Sequence, residues 1–144
     1  PVRGDEILLG MKKRGLGEGK WNGFGGKIHD GETIEDCARR ETEEECGLKL
    51  LDLEKAGYFI CRFRNGSPTI EGHIFRSRQW QGEPEETEEM RPQWFKLEDI
   101  PYGNMWLSDS QWLPLFLTGT TFKAEFVISE DEGLESCSIT PCDL

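Results

Sequence analysis

The 144-residue sequence predicts a single α/β domain, a layer sandwich built on a mixed sheet. Three observations carry that prediction. One strongly signalled helix covers residues 33–46, with Thr33 as N-cap, Asp36 three residues on, and Gly47 as the stop. Short apolar and aromatic runs of strand length recur on both sides of it, and a second, shorter helix falls late in the chain. The length suits one hydrophobic core and not two.

The elements follow in order. Ile7, Leu8 and Leu9 read as the end of a buried strand. The segment 12–20, with Lys12, Lys13, Arg14 and Lys20 among three glycines, reads as a flexible basic loop. Residues 21–26, WNGFGG, are too glycine-rich for a regular strand and permit close backbone approach to a ligand. Ile34, Cys37 and Ala38 give the helix a narrow apolar stripe, so it should lie against a sheet. Three β-segments are expected at 54–63, 69–79 and 93–97, with Asn65-Gly66 turning between the first two. The run 83–89 carries five glutamates and Pro84 and reads as a solvated loop. Residues 109–117 form the second helix, with Trp112, Leu113, Leu115 and Phe116 available for packing. A strand follows at 122–129, and the tail forms one more strand or frays. The chain opens Pro-Val-Arg without an initiator Met, so its natural N-terminus is expected to lie upstream of this point.

Charge narrows the function classes. The formal net charge of −11 argues against a nucleic-acid polymer as partner, because such binders need a basic face to displace phosphate counterions. It argues equally against a lipid surface, and no apolar run approaches membrane-spanning length. Five cysteines without a CxxC or regular framework indicate free thiols in a reducing, cytoplasmic setting. The acidity is unevenly distributed. Residues 1–27 carry six Lys/Arg against three Asp/Glu, and the remainder eleven against twenty-five. A small anionic substrate is therefore compatible with the chain if a divalent cation accompanies it.

The chemistry concentrates on the first helix. Glu41 and Glu45 stand four apart and project together, with Glu44 one step around. Clustered carboxylates make a site for a hard cation, Mg²⁺ or Mn²⁺, although a merely solvated acidic face has the same pattern. A loop rich in glycine feeds directly into this helix, which a solvated face does not require. By spacing alone Glu89 belongs to the acidic run, Lys12 is a loop cation, Asn22 tightens a turn, and Trp106 is either a core residue or a stacking platform.

Gly26, Glu32, Arg40, Glu41, Glu44, Glu45, Gly47 and Leu48 meet the pattern G-x5-E-x7-R-E-U-x-E-E-x-G-U, and the sequence thereby resembles the Nudix family. One position departs: Thr42 stands where the family has an apolar residue, which is expected to loosen helix packing. The segments LLGMKKRG, KWNGFGGK, EMRPQWF, IPYGNMW and DSQWLP extend the resemblance to those members that hydrolyse oxidised purine nucleoside triphosphates, such as 8-oxo-dGTP and 2-hydroxy-dATP. The resemblance implies a Nudix fold, an α/β/α sandwich, over residues 1–144, with a further N-terminal strand of the family ahead of Pro1. It also implies a monomeric enzyme that takes free nucleotides to the monophosphate and pyrophosphate, sanitising the nucleotide pool.

Residue by residue, the resemblance makes Glu41, Glu44, Glu45, Glu89 and the Gly25 carbonyl ligands for the cation. Glu41, Glu44 and Glu45 are also the catalytic carboxylates, with Arg40 fixing one of them. Lys12, Asn22, Phe24, Gly25, Gly26, Lys27, Met90, Trp106, Leu107, Ser108 and Asp109 fall on the substrate side. Asn22 would bond the purine edge and Trp106 would stack on the base. Ser108 stands where those relatives have the first of two adjacent aspartates, and Asp109 keeps the second. Two other readings stay open: Nudix chemistry on another nucleoside diphosphate-linked substrate, and a catalytically silent binding module.

Overall fold

The computed structural model describes residues 1–131 and 133–144. The chain forms two compact units, residues 1–54 with 77–106, and residues 55–76 with 107–144.

In the first unit the organising strand is β2 (Glu6–Lys12), which pairs antiparallel with β1 (Val2–Arg3) and β3 (Trp21–Asn22). Along its other edge runs β8 (Met90–Lys96), in a register that sets Leu8 against Trp94 and Lys12 against Met90. Ile7, Leu8 and Leu9 are buried in the first half of β2 rather than at its end, and Lys12 belongs to the strand and not to the loop. β8 likewise begins at Met90, three residues before the expected start, because its pairing with β2 continues that far. The helix α1 (Ile34–Cys46) has the expected ends: the Thr33 hydroxyl accepts the Asp36 N–H at 3.1 Å, and Gly47 closes it at φ 80°. Its buried residues are Cys37, Thr42, Glu45 and Cys46; of the expected stripe Cys37 is interior, while Ile34 and Ala38 are only half-buried. Thr42 does not loosen the packing: its hydroxyl donates to the Ala38 carbonyl at 2.8 Å, so the polar atom is satisfied inside the turn.

Leu8, Cys46 and Leu48 form the core over which Phe24, Trp80 and Trp94 pack. A two-stranded ribbon of β4 (Lys49–Leu50) and β7 (Trp80–Gln81) completes this unit. Asp52 accepts from the Ser77 hydroxyl and from the N–H groups of Arg78 and Gln79. Those bonds explain why the strand expected to reach residue 79 stops at Arg76: the backbone after it bends around Asp52.

The second unit holds the parallel pairing. Its sheet runs β10 (Leu134–Pro141), β9 (Phe122–Ile128), β5 (Glu54–Phe63), β6 (Ile70–Arg76), with β5 and β9 parallel and β9 and β10 antiparallel. Strict alternation buries Phe122, Ala124, Phe126 and Ile128 on one face of β9. The Asn65 side chain accepts the Ser67 N–H at 2.9 Å in the turn after β5. The tail is thus a paired strand, not a frayed end. Helix α2 (Asp109–Leu117) contributes buried Leu113 and Phe116, and its Trp112 ring lies 5.9 Å from that of Phe122. Among the described residues no helix is long and apolar enough to cross a membrane.

Candidate functional site

The site is built in the first unit from α1, the loop that precedes it, β2 with the basic loop after it, and the segment before β8. Arg40 is the hub of one side. Its guanidinium forks onto Glu32 at 2.7 and 3.1 Å, donates to the Lys27 carbonyl at 3.0 Å, and bonds Glu41 at 2.7 Å and Glu44 at 3.2 Å. The bonds from Arg40 and from the His29 N–H hold the Glu32 carboxyl down to about 2, while donating to Glu32 and Glu41 raises the guanidinium further above its ordinary range. The loop from Lys27 to Glu32 is thereby fastened to the helix. A Cβ on Gly26 would lie 2.5 to 2.7 Å from the Glu41 carboxylate atoms, so a side chain there would push that carboxylate aside.

The other side is looser and holds the most buried carboxylate of the set. Glu45 is only 3 % exposed and accepts the Gly25 N–H at 2.8 Å. Burial pushes its carboxyl up to about 7; the Gly25 N–H and Lys12 oppose the shift, and the nearby negative charges of Glu41 and Glu89 add to it. Lys12 Nζ lies 3.9 Å from Glu45 and 3.6 Å from Glu89. Glu89 also accepts from Arg14.

The run 83–89 is therefore not simply a solvated loop. The Thr87 hydroxyl donates to the Glu45 carbonyl, the Glu85 N–H to the Cys46 carbonyl, and Lys13 Nζ to Glu86 and the Thr87 carbonyl. The carbonyls left open at the end of α1 receive these bonds, and the result carries Glu89 to the carboxylate set.

The oxygen donors suit a hard divalent cation, and the mutual repulsion of Glu41, Glu45 and Glu89 is what such a cation would relieve. Among the described residues no three His, Cys, Asp or Glu side chains are already gathered as a metal cage. Arg40, Lys12 and Arg14 hold the carboxylates instead. Glu44 stays mostly exposed at the rim.

A second cluster in the same unit involves Asn22, Trp106 and Gly17. The Asn22 amide donates to the Lys20 carbonyl at 2.8 Å, and Lys20 Nζ lies 5.3 Å from the centre of the Trp106 ring. A Cβ on Gly17 would meet Trp106 Nε1 at 3.1 Å and both terminal atoms of Asn22 at 3.4 and 3.5 Å. With φ at 84°, Gly17 occupies a conformation that side chains rarely adopt. The basic loop is accordingly shaped, not merely flexible.

Other expected substrate residues behave differently. Phe24 packs against the Leu8 core, and Met90 is 2 % exposed. Lys12 points to carboxylates rather than standing free, while Lys27 contributes its carbonyl to Arg40. In the second unit, Leu107 is half exposed, and Ser108 is buried at the start of α2 without capping it. Asp109 accepts the Trp112 indole N–H at 3.0 Å, which turns its carboxylate toward its own helix. The sequence reasoning missed Gly17, Arg14 and Thr87. The alternating glycines at 15, 17 and 19 were the available signal for the first; nothing local signals the other two.

Comparison with known proteins places these residues in a family. Residues 2–116 match the NUDIX domain model. The chain is 46 % identical over 137 residues to the oxidized purine nucleoside triphosphate hydrolase of Mus musculus, covering 95 % of this chain and 88 % of that protein. It is 50 % identical over 125 residues to the protein of the same name from Danio rerio, covering 87 % and 80 %. A crystal structure of MutT from Bacillus halodurans superposes with a TM-score of 0.83 at 25 % identity, covering 96 % of this chain and 92 % of that one. The α/β fold with its mixed pairing and two helices is thus shared with MutT; Glu32, Glu41, Glu44 and Glu45 stand at positions of the Nudix pattern, and Glu89 lies outside it. The chain belongs to the Nudix family of hydrolases.

Proposed function

We propose that this chain hydrolyses oxidised purine nucleoside triphosphates, of the 8-oxo-dGTP and 2-hydroxy-dATP type, to the monophosphate and pyrophosphate. The cation would be Mg²⁺, with Mn²⁺ able to replace it, and the role would be to clear damaged nucleotides from a cytoplasmic pool. The observation that carries the reading is one unit holding both halves of a nucleotide site: the carboxylates of α1 and the Asn22–Trp106 pair around Gly17. The names of the mouse and zebrafish relatives support the same substrate class.

Glu41, Glu44, Glu45 and Glu89 would hold the cation. When bound, it supplies positive charge to the phosphates and makes water a better nucleophile. The chain's own residues do the rest. Arg40 fixes the rotamers of Glu41 and Glu44, so that their oxygens are preorganised. A carboxylate of this set accepts the proton of the attacking water. Trp106 offers a flat apolar face to the base, and Asn22 offers both a donor and an acceptor to its edge. Lys20, above the Trp106 ring, adds positive charge on that side.

Pyrophosphate release from 8-oxo-dGTP, 2-hydroxy-dATP and dGTP, and AMP release from ADP-ribose, each with Mg²⁺ and with EDTA, test the reading. A kcat/KM for 8-oxo-dGTP at least about ten-fold above that for dGTP is expected, the size of a difference read by hydrogen bonds at a base edge. Preferred turnover of ADP-ribose would move the chain to another Nudix substrate class. Absence of any turnover would make it a silent binding module. Elution of the free chain as a monomer, and no retention on a nucleic-acid column, are expected alongside.

A further inference from the structure

We propose that Lys12 is a built-in counter-ion for Glu45 and Glu89 in the cation-free protein, and that a divalent cation displaces it on entering. The inference rests on the cation-site reading above and adds the residue that competes for the site. Its ammonium lies between the two carboxylates, at 3.9 and 3.6 Å, and is mostly buried with them. Both separations exceed hydrogen-bond length, so the contacts are charge attraction without directed bonds. Glu45 is 3 % exposed, and among the described residues its carboxylate has one other partner, the Gly25 N–H. Glu89 has Arg14 as well.

The backbone at Lys12 is not free to leave. Its N–H donates to the Lys20 carbonyl, its carbonyl accepts from Gly19, and the strand register places it opposite Met90, next to Glu89. Only the flexible four-carbon side chain can swing. Arg40, by contrast, is tied by five directed bonds of 2.7 to 3.2 Å and cannot move without releasing the loop. A dication entering between Glu45 and Glu89 meets a like charge there, and the two cannot share that space. The exchange lets the buried carboxylate stay compensated in both states, since an uncompensated one would be costly.

Mn²⁺ binding measured by calorimetry, with no nucleotide present, tests this on the parent, Lys12→Met and Lys49→Met. Methionine keeps the aliphatic stem and removes the charge. Lys49, on β4 and well exposed, gives the same change of net charge away from Glu45 and Glu89. Mn²⁺ should bind Lys12→Met about ten-fold more tightly than the parent, and Lys49→Met should match the parent. In EDTA, Lys12→Met should melt below the parent, and saturating Mn²⁺ should close that gap. Lys12→Gln serves if the methionine variant fails to fold. Mn²⁺ binding to the parent that is no weaker than to the Lys12 variants overturns the displacement and leaves the cation reading standing. No Mn²⁺ binding by parent or variants overturns both.

Discussion

The two sides of the carboxylate set are held by opposite means. Around Arg40, directed bonds of 2.7 to 3.2 Å join Glu32, Glu41, Glu44 and the Lys27 carbonyl into one rigid piece. Around Lys12, Glu45 and Glu89 are kept together by ion pairs of 3.6 to 3.9 Å, and the buried member carries a carboxyl pushed up to about 7. The rigid side is the more exposed to solvent at its rim, through Glu44, and the loose side includes the more buried carboxylate, Glu45. Directed bonds fix the rotamers on the first side, and charge attraction on the second leaves the Lys12 ammonium exchangeable, as the proposed cation entry requires.

The comparison breaks most visibly at Glu45. Glu45→Gln removes a charge from the loose side and should lower kcat by about 10²–10⁴-fold, as loss of an acid–base or cation-holding carboxylate does. Steady-state pyrophosphate release measures it, and a loss under two-fold would refute the site. Arg40→Gln, on the rigid side, releases the Glu41 and Glu44 rotamers and should cost about 10–100-fold, the range for residues that orient a cation's ligands. Unaltered far-ultraviolet dichroism in both variants would keep the fold out of the explanation.

A smaller effect belongs to the Gly17–Asn22–Trp106 cluster proposed to bind the base, which should be separable from both sides. Gly17→Ala places a methyl 3.1 Å from the Trp106 indole nitrogen at a positive φ. It should raise KM for 8-oxo-dGTP about five-fold or more with kcat little changed, since binding and not chemistry is disturbed. A fall in kcat alone would place Gly17 with the carboxylates instead.

The smallest effect sharpens the rigid side through pH. Glu32 has its carboxyl held at about 2, below its ordinary value near 4.5, by Arg40 and the His29 N–H. A depressed carboxyl contributes stability that is fully present above the unfolded value and is lost as pH falls through the folded one. The melting temperature of Glu32→Gln should therefore lie below that of the parent by a constant gap from pH 7 to about 5. The gap should close as the pH approaches 2. A gap independent of pH across that range would show that the Arg40–Glu32 fork contributes nothing through charge.

Much of the site was legible because it is local. Glu41, Glu44, Glu45 and Arg40 lie within two turns of one helix, and helical spacing alone puts them together. The cap at Thr33 and the stop at Gly47 are equally local, and they define α1 to within a residue of the expected span. The bounds of α2 were readable for the same reason, since Trp112, Leu113 and Phe116 set its packing face. Glu89 shows the opposite case. In sequence it is one glutamate in an acidic run, and it joins Glu45 only because β8 pairs with β2 and Thr87 bonds the end of α1.

What the sequence determined by itself was the α/β class, the box helix with its caps, and the family, since each is written in short-range spacing. Tertiary structure alone decided which face of α1 is buried, making Glu45 and Thr42 interior residues in place of Ile34 and Ala38. It also decided that Asp109 turns to Trp112 and that Lys12 faces carboxylates. The physical reason is range. Spacing along the chain fixes which side chains share a turn, but burial and charge compensation depend on partners that only strand register and loop docking bring within reach.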